Sequence, residues 1–131
     1  MNPFSKLGIR HDIVNAISEL GFENPTPIQE QSIPVLLTGS NDFVGLAQTG
    51  TGKTAAFGLP LLELLDFEEN HPQALVLCPT RELCLQITND IKNYSKKMDN
   101  VHVFAVSGGP SILDELRHIK RGGQLCCAPP R

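Results

Sequence analysis

The segment AQTGTGKT, from Ala47 to Thr54, constrains the fold more than any other part of the sequence. It follows a short apolar run and precedes a stretch with helical spacing, so it connects a predicted strand to a predicted helix. Gly50 and Gly52 allow the backbone to turn its N–H groups into one concavity, and the helix start adds partial positive charge. This context favours a phosphate-binding loop over the alternative, a glycine-rich turn between a strand and a helix.

The side chains of this segment suit phosphate and magnesium chemistry. Lys53 can reach the β- and γ-phosphates of a nucleotide, and the Thr54 hydroxyl can ligate Mg²⁺. The usual pattern opens with glycine, whereas this sequence has Ala47, and the four-residue spacing to Gly52 is kept. We therefore expect this part of the chain to bind a nucleotide together with Mg²⁺.

Apolar runs alternate with amphipathic stretches along the chain, which is typical of repeated βα units and a parallel sheet. The predicted strands are Phe43–Ala47, Ala74–Cys78, Val101–Val106 and Gln124–Ala128. Helical spacing of apolar residues predicts helices over Ile13–Leu20, after Thr26, over Leu83–Tyr94 and over Ile112–Ile119. The polar stretch Asp66–Gln73 is a predicted surface loop. Pro34 and Pro60 fall inside helical segments, where they are expected to kink or interrupt the helix.

Composition excludes several classes of protein. The 131 residues suffice for one modest domain, and 40% apolar with 19% charged residues is ordinary for a folded soluble chain. A net charge of -3 argues against a broad basic nucleic-acid surface, but not against a local site built from backbone amides and a few arginines.

The sequence shows no signal for membrane insertion, secretion or a metal site built from cysteine and histidine. No apolar run approaches the ~20 residues of a membrane span, and the first residues lack a signal-peptide core. The four cysteines form no Cys-x-x-Cys pair, and the four histidines lack metal-ligand spacing. We expect buried thiols and a cytoplasmic location.

A second segment, GFENPTPIQ from Gly21 to Gln29, lies upstream of the loop. Taken alone it predicts only a turn followed by a helix start. Beside a phosphate loop it gains a chemical meaning, because a glutamine carboxamide can pair with both N7 and N6 of adenine. An aromatic side chain could cover one face of the base.

Four motifs in the same order and spacing resemble those of DEAD-box ATP-dependent RNA helicases. GFENPTPIQ resembles the family's Q motif, and AQTGTGKT matches its motif I, including the alanine start. PTREL, from Pro79 to Leu83, resembles motif Ia, and Gly108-Gly109 resembles the conserved glycine pair. Phe4 stands seventeen residues before Gly21, where the family has an isolated aromatic residue.

The resemblance implies binding of ATP with Mg²⁺ and of single-stranded RNA, with little dependence on RNA sequence. The implied nucleotide-binding residues are Phe4, Thr26, Gln29, Gln48, Thr49, Gly50, Thr51, Gly52, Lys53 and Thr54, the last also holding Mg²⁺. The implied RNA-binding residues are Pro79, Thr80, Arg81, Gly108, Gly109 and Arg131. Without the family, Thr80 and Arg81 would be interpreted as an N-cap and a charged first helical turn.

The expected architecture is an α/β fold: an incomplete RecA-like P-loop NTPase domain with a mainly parallel sheet flanked by helices. We expect a Q-motif region over residues 1–30 and a partial RecA-like ATP-binding domain over 31–131. The chain departs from the family at its end, where Ala128-Pro129-Pro130-Arg131 replaces Thr-Pro-Gly-Arg, and at Glu115, where the family usually has glutamine.

The expected activity depends on residues beyond these motifs. The sequence stops before the family's Asp-Glu-Ala-Asp motif, so we expect neither RNA unwinding nor efficient ATP hydrolysis, and a marginally stable, aggregation-prone fold. Three interpretations stay open: part of a helicase enzyme, a binding module without turnover, and a non-functional remnant. Another P-loop NTPase, such as a kinase, is opposed by the combined motifs.

Overall fold

A computed structural model describes residues 2–48, 50, 52–106, 113, 117, 120 and 122–129. Its helices are α1 (Pro3–Lys6), α2 (His11–Glu19), α3 (Pro27–Leu37), α4 (Lys53–Leu64) and α5 (Arg81–Tyr94). Its strands are β1 (Ala74–Leu77), β2 (Val103–Ala105) and β3 (Leu125–Ala128). The chain divides into two compact units, one of Met1–Leu64 with Asn93–Met98 and one of Leu65–Lys92 with Asp99–Arg131.

The three strands form a parallel sheet in the second unit, in the order β1-β3-β2. Leu125 at the start of β3 is in register with Ala74 of β1 and with Val103 of β2. Leu125 and Cys127 are fully buried, as expected for a central strand. The predictions of an α/β fold and of these three strands are confirmed, with strand ends that differ by one or two residues.

A buried glutamine fixes the turns that lead into this sheet. Gln124 has no exposed surface; its Oε1 accepts from the His102 backbone N–H at 2.9 Å, and its Nε2 donates to the Asn100 carbonyl at 2.9 Å. Asn100 has a positive φ of 63°, so the amide stabilises a strained turn. These bonds satisfy backbone groups that the ladder leaves unpaired.

The first unit is helical. Phe4, Ile13 and Ile17 of α1 and α2 are fully buried, and α3 packs against α4 with Ile33 and Leu59 fully buried. Ion pairs also link the two chain segments that make up this unit. Glu19 at the end of α2 forms ion pairs with Lys96, at 2.7 Å, and with Lys97.

The predicted strand Phe43–Ala47 is wrong, because this segment is not a strand in the structure. Val44 is 85% exposed and Leu46 is 92% exposed, while Phe43 is half-buried. A strand requires a hydrogen-bonded neighbour. Among the described residues the strands β1, β2 and β3 pair only with one another, so the apolar pattern of this segment is present without a ladder partner.

The two prolines do not interrupt their helices, so that part of the prediction is wrong, while the alternative of a kink stays a prediction. Pro34 lies inside α3 and Pro60 inside α4. A proline at position 60 cannot donate to the carbonyl of Ala56, but the Ser32 hydroxyl donates to that oxygen at 3.0 Å. The buried serine of one helix therefore supplies the hydrogen bond that the proline removes from the other.

Within the described residues, no helix is long and apolar enough to cross a membrane, and no group of three or more metal-ligating side chains is found. All four cysteines are free. Cys78, Cys84 and Cys127 are buried and Cys126 is half-buried, so the expectation of buried thiols is confirmed for three of them.

Candidate functional site

The glycine-rich loop adopts the strained backbone that its sequence predicts. Gly50 has a φ of 80° and Gly52 a φ of 83°, a region that residues with a side chain rarely adopt. Helix α4 begins directly afterwards at Lys53, so its first N–H groups and its dipole face the loop. The Lys53 amine donates to the Ala47 carbonyl at 2.8 Å, which closes the loop on itself.

Gln29 connects the Q-motif segment to this loop. The side chain is 2% exposed. Its Oε1 accepts from the Thr26 backbone N–H at 3.0 Å, and its Nε2 donates to the Gly52 carbonyl at 3.1 Å. One carboxamide therefore caps the start of α3 and holds the last residue of the loop before α4. The sequence predicted that Gln29 binds the edge of adenine. It gave no signal for the contact between Gln29 and the Gly52 carbonyl.

Close approach makes glycine necessary at position 52. A Cβ added there would lie 2.3 Å from Gln29 Nε2 and 3.2 Å from Thr26 Oγ1. The Thr26 hydroxyl oxygen is buried and has no hydrogen-bond partner. A Cβ added at Gly50 would meet nothing within 4 Å. The two glycines thus share a backbone conformation but differ in what surrounds them.

The other predicted nucleotide-binding residues make no described contact with the glycine-rich loop. Phe4 has no exposed surface, and its ring centroid lies 6.2 Å from that of Phe22, so the structure does not bring this ring to an open face. Gln48 is exposed, and Thr54 is half-buried in the first turn of α4. Thr49 and Thr51 lie outside the described residues.

The PTREL segment lies at the carboxyl end of β1 in the second unit. Pro79, Thr80 and Arg81 are exposed. The Thr80 hydroxyl accepts from the Leu83 backbone N–H at 3.1 Å, so Thr80 caps α5 as its sequence position predicts. Arg81 is the first residue of that helix. Gly108, Gly109 and Arg131 lie outside the described residues.

A closed glycine loop with a lysine at the start of the next helix, in a chain that also forms a parallel sheet, defines a P-loop nucleotide-binding protein of the α/β class. The family model for the DEAD/DEAH box helicase matches residues 26–131. The chain belongs to the DEAD/DEAH box helicase family, which confirms the resemblance of its motifs.

Named relatives and solved structures support the same family assignment. The chain is 47% identical over 127 residues to the ATP-dependent RNA helicase DeaD of Escherichia coli strain K12, covering 97% of this chain and 20% of that protein. A solved DEAD box protein from Methanococcus jannaschii matches with a TM-score of 0.90 and 35% identity, covering 98% of this chain and 34% of that one.

A third match is the Saccharomyces cerevisiae protein Dbp5, solved bound to RNA and ADP BeF3. Its TM-score is 0.84 at 27% identity, covering 99% of this chain and 32% of that one. The chain thus has the fold of part of a DEAD-box RecA-like domain. It spans about a fifth of the length of the curated relative DeaD.

Proposed function

We propose that this chain supplies ATP–Mg²⁺-binding and single-stranded RNA-binding elements of an ATP-dependent RNA helicase. The hydrogen bond from Gln29 to the Gly52 carbonyl carries the nucleotide part of the proposal, because it links the Q-motif segment physically to the phosphate loop. The names of the matched relatives, an RNA helicase and a protein solved with RNA and an ADP complex, support the same pair of ligands.

The residues of the loop fit a bound nucleotide. Phosphate oxygens would draw the Lys53 amine away from the Ala47 carbonyl, because an anion is a stronger acceptor for an ammonium group than a neutral carbonyl. Backbone N–H groups of the loop and of the start of α4 would complete the phosphate cradle. The Thr54 hydroxyl would ligate Mg²⁺, which lowers the charge repulsion among the phosphates.

Base selection is assigned to the Q-motif residues. Gln29 uses one amide hydrogen and one lone pair for its contacts with Gly52 and Thr26, and it retains one of each. We propose that these pair with the edge of adenine and give preference for ATP. Stacking of Phe4 on the base remains part of the proposal and requires that its ring leave the contact with Phe22.

RNA binding is assigned to the exposed start of α5. The Arg81 guanidinium can pair with a phosphate, and the backbone N–H groups of the first two residues of α5 can bind the same anion. Pro79 and Thr80 lie beside it. Gly108, Gly109 and Arg131 join the proposal through the family resemblance. Contacts of this kind go to the RNA backbone, so binding is expected to depend little on sequence.

The proposal stops at binding. Hydrolysis needs a carboxylate that positions the attacking water, and the family carries it in the Asp-Glu-Ala-Asp motif, which the sequence of 131 residues does not contain. We assign no residue of this sequence to that step.

A fluorescent adenine nucleotide tests the nucleotide assignment. We expect saturable binding that ATP displaces and GTP does not, and a loss of affinity of about tenfold or more in Lys53→Ala. Lys6→Ala, which removes an exposed lysine from the same unit, is the matched control and should bind as the wild type does. Unchanged affinity in Lys53→Ala would contradict the assignment.

Fluorescence anisotropy with a labelled single-stranded RNA tests the second assignment. Arg81→Ala should weaken binding and reduce the slope of log affinity against log salt by about one, since one phosphate contact is lost. Lys92→Ala removes the same charge near the other end of α5 and should change neither quantity. Equal effects of the two substitutions would show a general charge effect and refute a site at Arg81.

A further inference from the structure

A cavity of about 350 Å³ lies within the first unit, between α3, α4 and the segment that precedes the glycine-rich loop. Sites for small molecules commonly have volumes of about 300–1,000 Å³, so this cavity has room for one small ligand. Its walls are mainly apolar, and α3, the segment and α4 each contribute two of the apolar lining residues: Ile28, Leu36, Phe43, Gly45, Ala56 and Phe57.

The protein leaves part of these apolar walls open to water. Ile28, Leu36, Phe43 and Phe57 are half-buried, whereas Ile33, also on α3, has no exposed surface. A ligand in the cavity would remove this apolar surface from water, which is favourable in proportion to the area covered. Two of the four half-buried side chains are phenyl rings, and such rings pack well against a flat aromatic ligand.

Two lining residues are polar. The Ser32 hydroxyl donates its hydrogen to the Ala56 carbonyl at 3.0 Å and keeps only acceptor capacity. The Lys53 amine donates to the neutral Ala47 carbonyl at 2.8 Å, and this contact uses one of the three donors of an ammonium group. Among the described residues that line the cavity, Lys53 alone carries a charge, and no carboxylate offsets it. The lining therefore favours an apolar ligand with one negative group.

We propose that this cavity binds an aromatic anion, with a hydrocarbon ring system between α3 and α4 and a sulfonate or carboxylate group paired with the Lys53 ammonium. The same ammonium is assigned to the phosphates of the nucleotide, so the aromatic anion should compete with ATP. The competition rests on the proposed function, whereas binding in the cavity does not.

The cavity is distinct from the place assigned to adenine. Thr26 and Gln29 are not among its lining residues, and Lys53 is the one described residue that the two sites share. A purine placed against apolar walls would lose the hydrogen bonds that its ring nitrogens and amino group make with water. A hydrocarbon ring has no such groups to desolvate, so the cavity selects it over adenine.

Gly45 offers a way to fill the cavity without altering Lys53. A Cβ added at Gly45 would lie 3.0 Å from Phe43 Cε1 and 3.2 Å from Ile28 Cδ1, both on residues that line the cavity. Gly45 is not among the glycines with a positive φ, so a side chain at this position brings no strain of that kind. Gly45→Leu should therefore place a side chain in the space of the ligand. The neighbouring Val44 is 85% exposed and does not line the cavity, so Val44→Leu is the matched control.

Methyl NMR of the 131-residue chain, labelled at the δ1 methyl groups of isoleucine, locates the probe 2-naphthalenesulfonate. The Ile28 signal should shift saturably, and the Ile13 signal should not, because Ile13 is fully buried in α2 and does not line the cavity. The neutral counterpart 2-naphthalenemethanol should bind about tenfold more weakly, since it brings no charge to Lys53. Equal shifts at both isoleucines, or equal affinities for the two probes, would overturn the proposal.

The two variants show whether the probe uses the cavity volume. Gly45→Leu should abolish the shift that the probe causes at Ile28, and Val44→Leu should retain it. An Ile13 signal at its wild-type position would show that Gly45→Leu keeps the helical unit folded. Undiminished probe binding by the folded Gly45→Leu chain would overturn the site. If this variant unfolds, the comparison of the two probes on the wild type still decides.

Competition with nucleotide tests the shared use of Lys53. ATP should reverse the probe-induced shift at Ile28, and adenosine, which lacks phosphates, should not. Lys53→Ala should weaken probe binding about tenfold, whereas Lys6→Ala should leave it unchanged. Binding of the fluorescent nucleotide without displacement of the probe would overturn the competition. A chain that binds the probe at Ile28 but no nucleotide would refute the proposed function and leave the cavity site supported; nucleotide binding without any shift at Ile28 would do the reverse.

Discussion

At the scale of single residues, the two loop glycines allow backbone strain to be separated from crowding. Gly52→Ala should destabilise the chain by more than Gly50→Ala and should also weaken ATP binding. Each substitution places an alanine at a positive φ, which costs about 1–2 kcal/mol. Only the alanine at position 52 would also collide with the Gln29 carboxamide and displace it.

Urea unfolding and nucleotide titration of both variants check this difference. Gly50→Ala is the matched control, because it has the same φ region and open space around the added methyl group. If the two variants lost the same stability and the same affinity, the contact between Gln29 and Gly52 would carry no energy.

The Glu19 carboxylate should make a pH-dependent contribution to stability. Hydrogen bonds from Lys96 and Lys97 lower the pKa of Glu19 to about 2. Because the pKa in the folded state lies below the unfolded value of 4.5, the contribution is complete above about pH 4.5 and is lost as the pH falls towards 2. The group is exposed, so the effect should be small and should shrink in high salt.

Thermal unfolding of the wild type and Glu19→Gln between pH 2 and pH 6 measures this contribution. The two melting temperatures should converge towards pH 2 and separate towards pH 6. Glu23→Gln removes a neighbouring exposed carboxylate and serves as the control. A constant difference between wild type and Glu19→Gln across this range would contradict the ion pairs as its source.

At the scale of helices, α3 and α4 are joined by a hydrogen bond from Ser32 to the Ala56 carbonyl, which Pro60 leaves without a donor in α4. Ser32→Ala should cost about 1–3 kcal/mol, because it leaves the buried Ala56 carbonyl without a partner. Pro60→Ala restores an N–H that can donate to this carbonyl within α4. The double variant should therefore lose less stability than the sum of the two single variants.

Chemical denaturation of the four proteins in this double-mutant cycle gives the coupling energy. The sign of the coupling energy is the test: Pro60→Ala must offset part of the stability lost in Ser32→Ala. Strict additivity would mean that the Ser32 hydroxyl is not replacing the hydrogen bond that Pro60 removes.

Elements could be predicted from sequence where their stability depends on local spacing or on partners present in the chain. β1 and β3 were predicted because both are short apolar runs. The prediction was confirmed because each strand has the other as a hydrogen-bonded neighbour. The segment Phe43–Ala47 has the same pattern but no ladder partner among the described residues, and the prediction of a strand failed there. An apolar run indicates that a segment can form a strand, but whether it does depends on a neighbouring strand brought close by the tertiary structure.

The candidate site shows the same limit. Positive φ at Gly50 and Gly52 follows from residue type, and so does the cap that Thr80 provides for α5. The contact of Gln29 with the loop joins residues 23 positions apart, and burial of Phe4 depends on packing of α1. Neither the contact nor the burial leaves a periodic signal in the sequence. Amide chemistry suggested that Gln29 faces the ligand, and the family resemblance implied the same for Phe4.

At the scale of the whole molecule, each unit exposes apolar side chains outside its helices. In the first unit these are Val44 and Leu46, and in the second they are Leu75 and Leu77 of β1, which are 62% and 71% exposed. In the sheet that the described residues form, β1 lies at the edge, and its segment Ala74–Leu77 has no charge or proline that would oppose pairing with another chain. Such a strand favours self-association.

Replacing both leucines of β1 with lysine should therefore keep the chain monomeric at higher concentration. We expect Leu75→Lys with Leu77→Lys to raise the concentration at which light scattering begins by about threefold or more, since charge on an edge strand opposes pairing. Leu85→Lys is the matched control, because Leu85 is 51% exposed but lies on α5, whose backbone groups are already paired. If Leu85→Lys reduced association as strongly as the β1 variant, general surface charge would explain the effect, and the open edge of β1 would not. A wild-type chain that stays monomeric, with a sharp cooperative thermal transition, would contradict the expectation of an aggregation-prone fold.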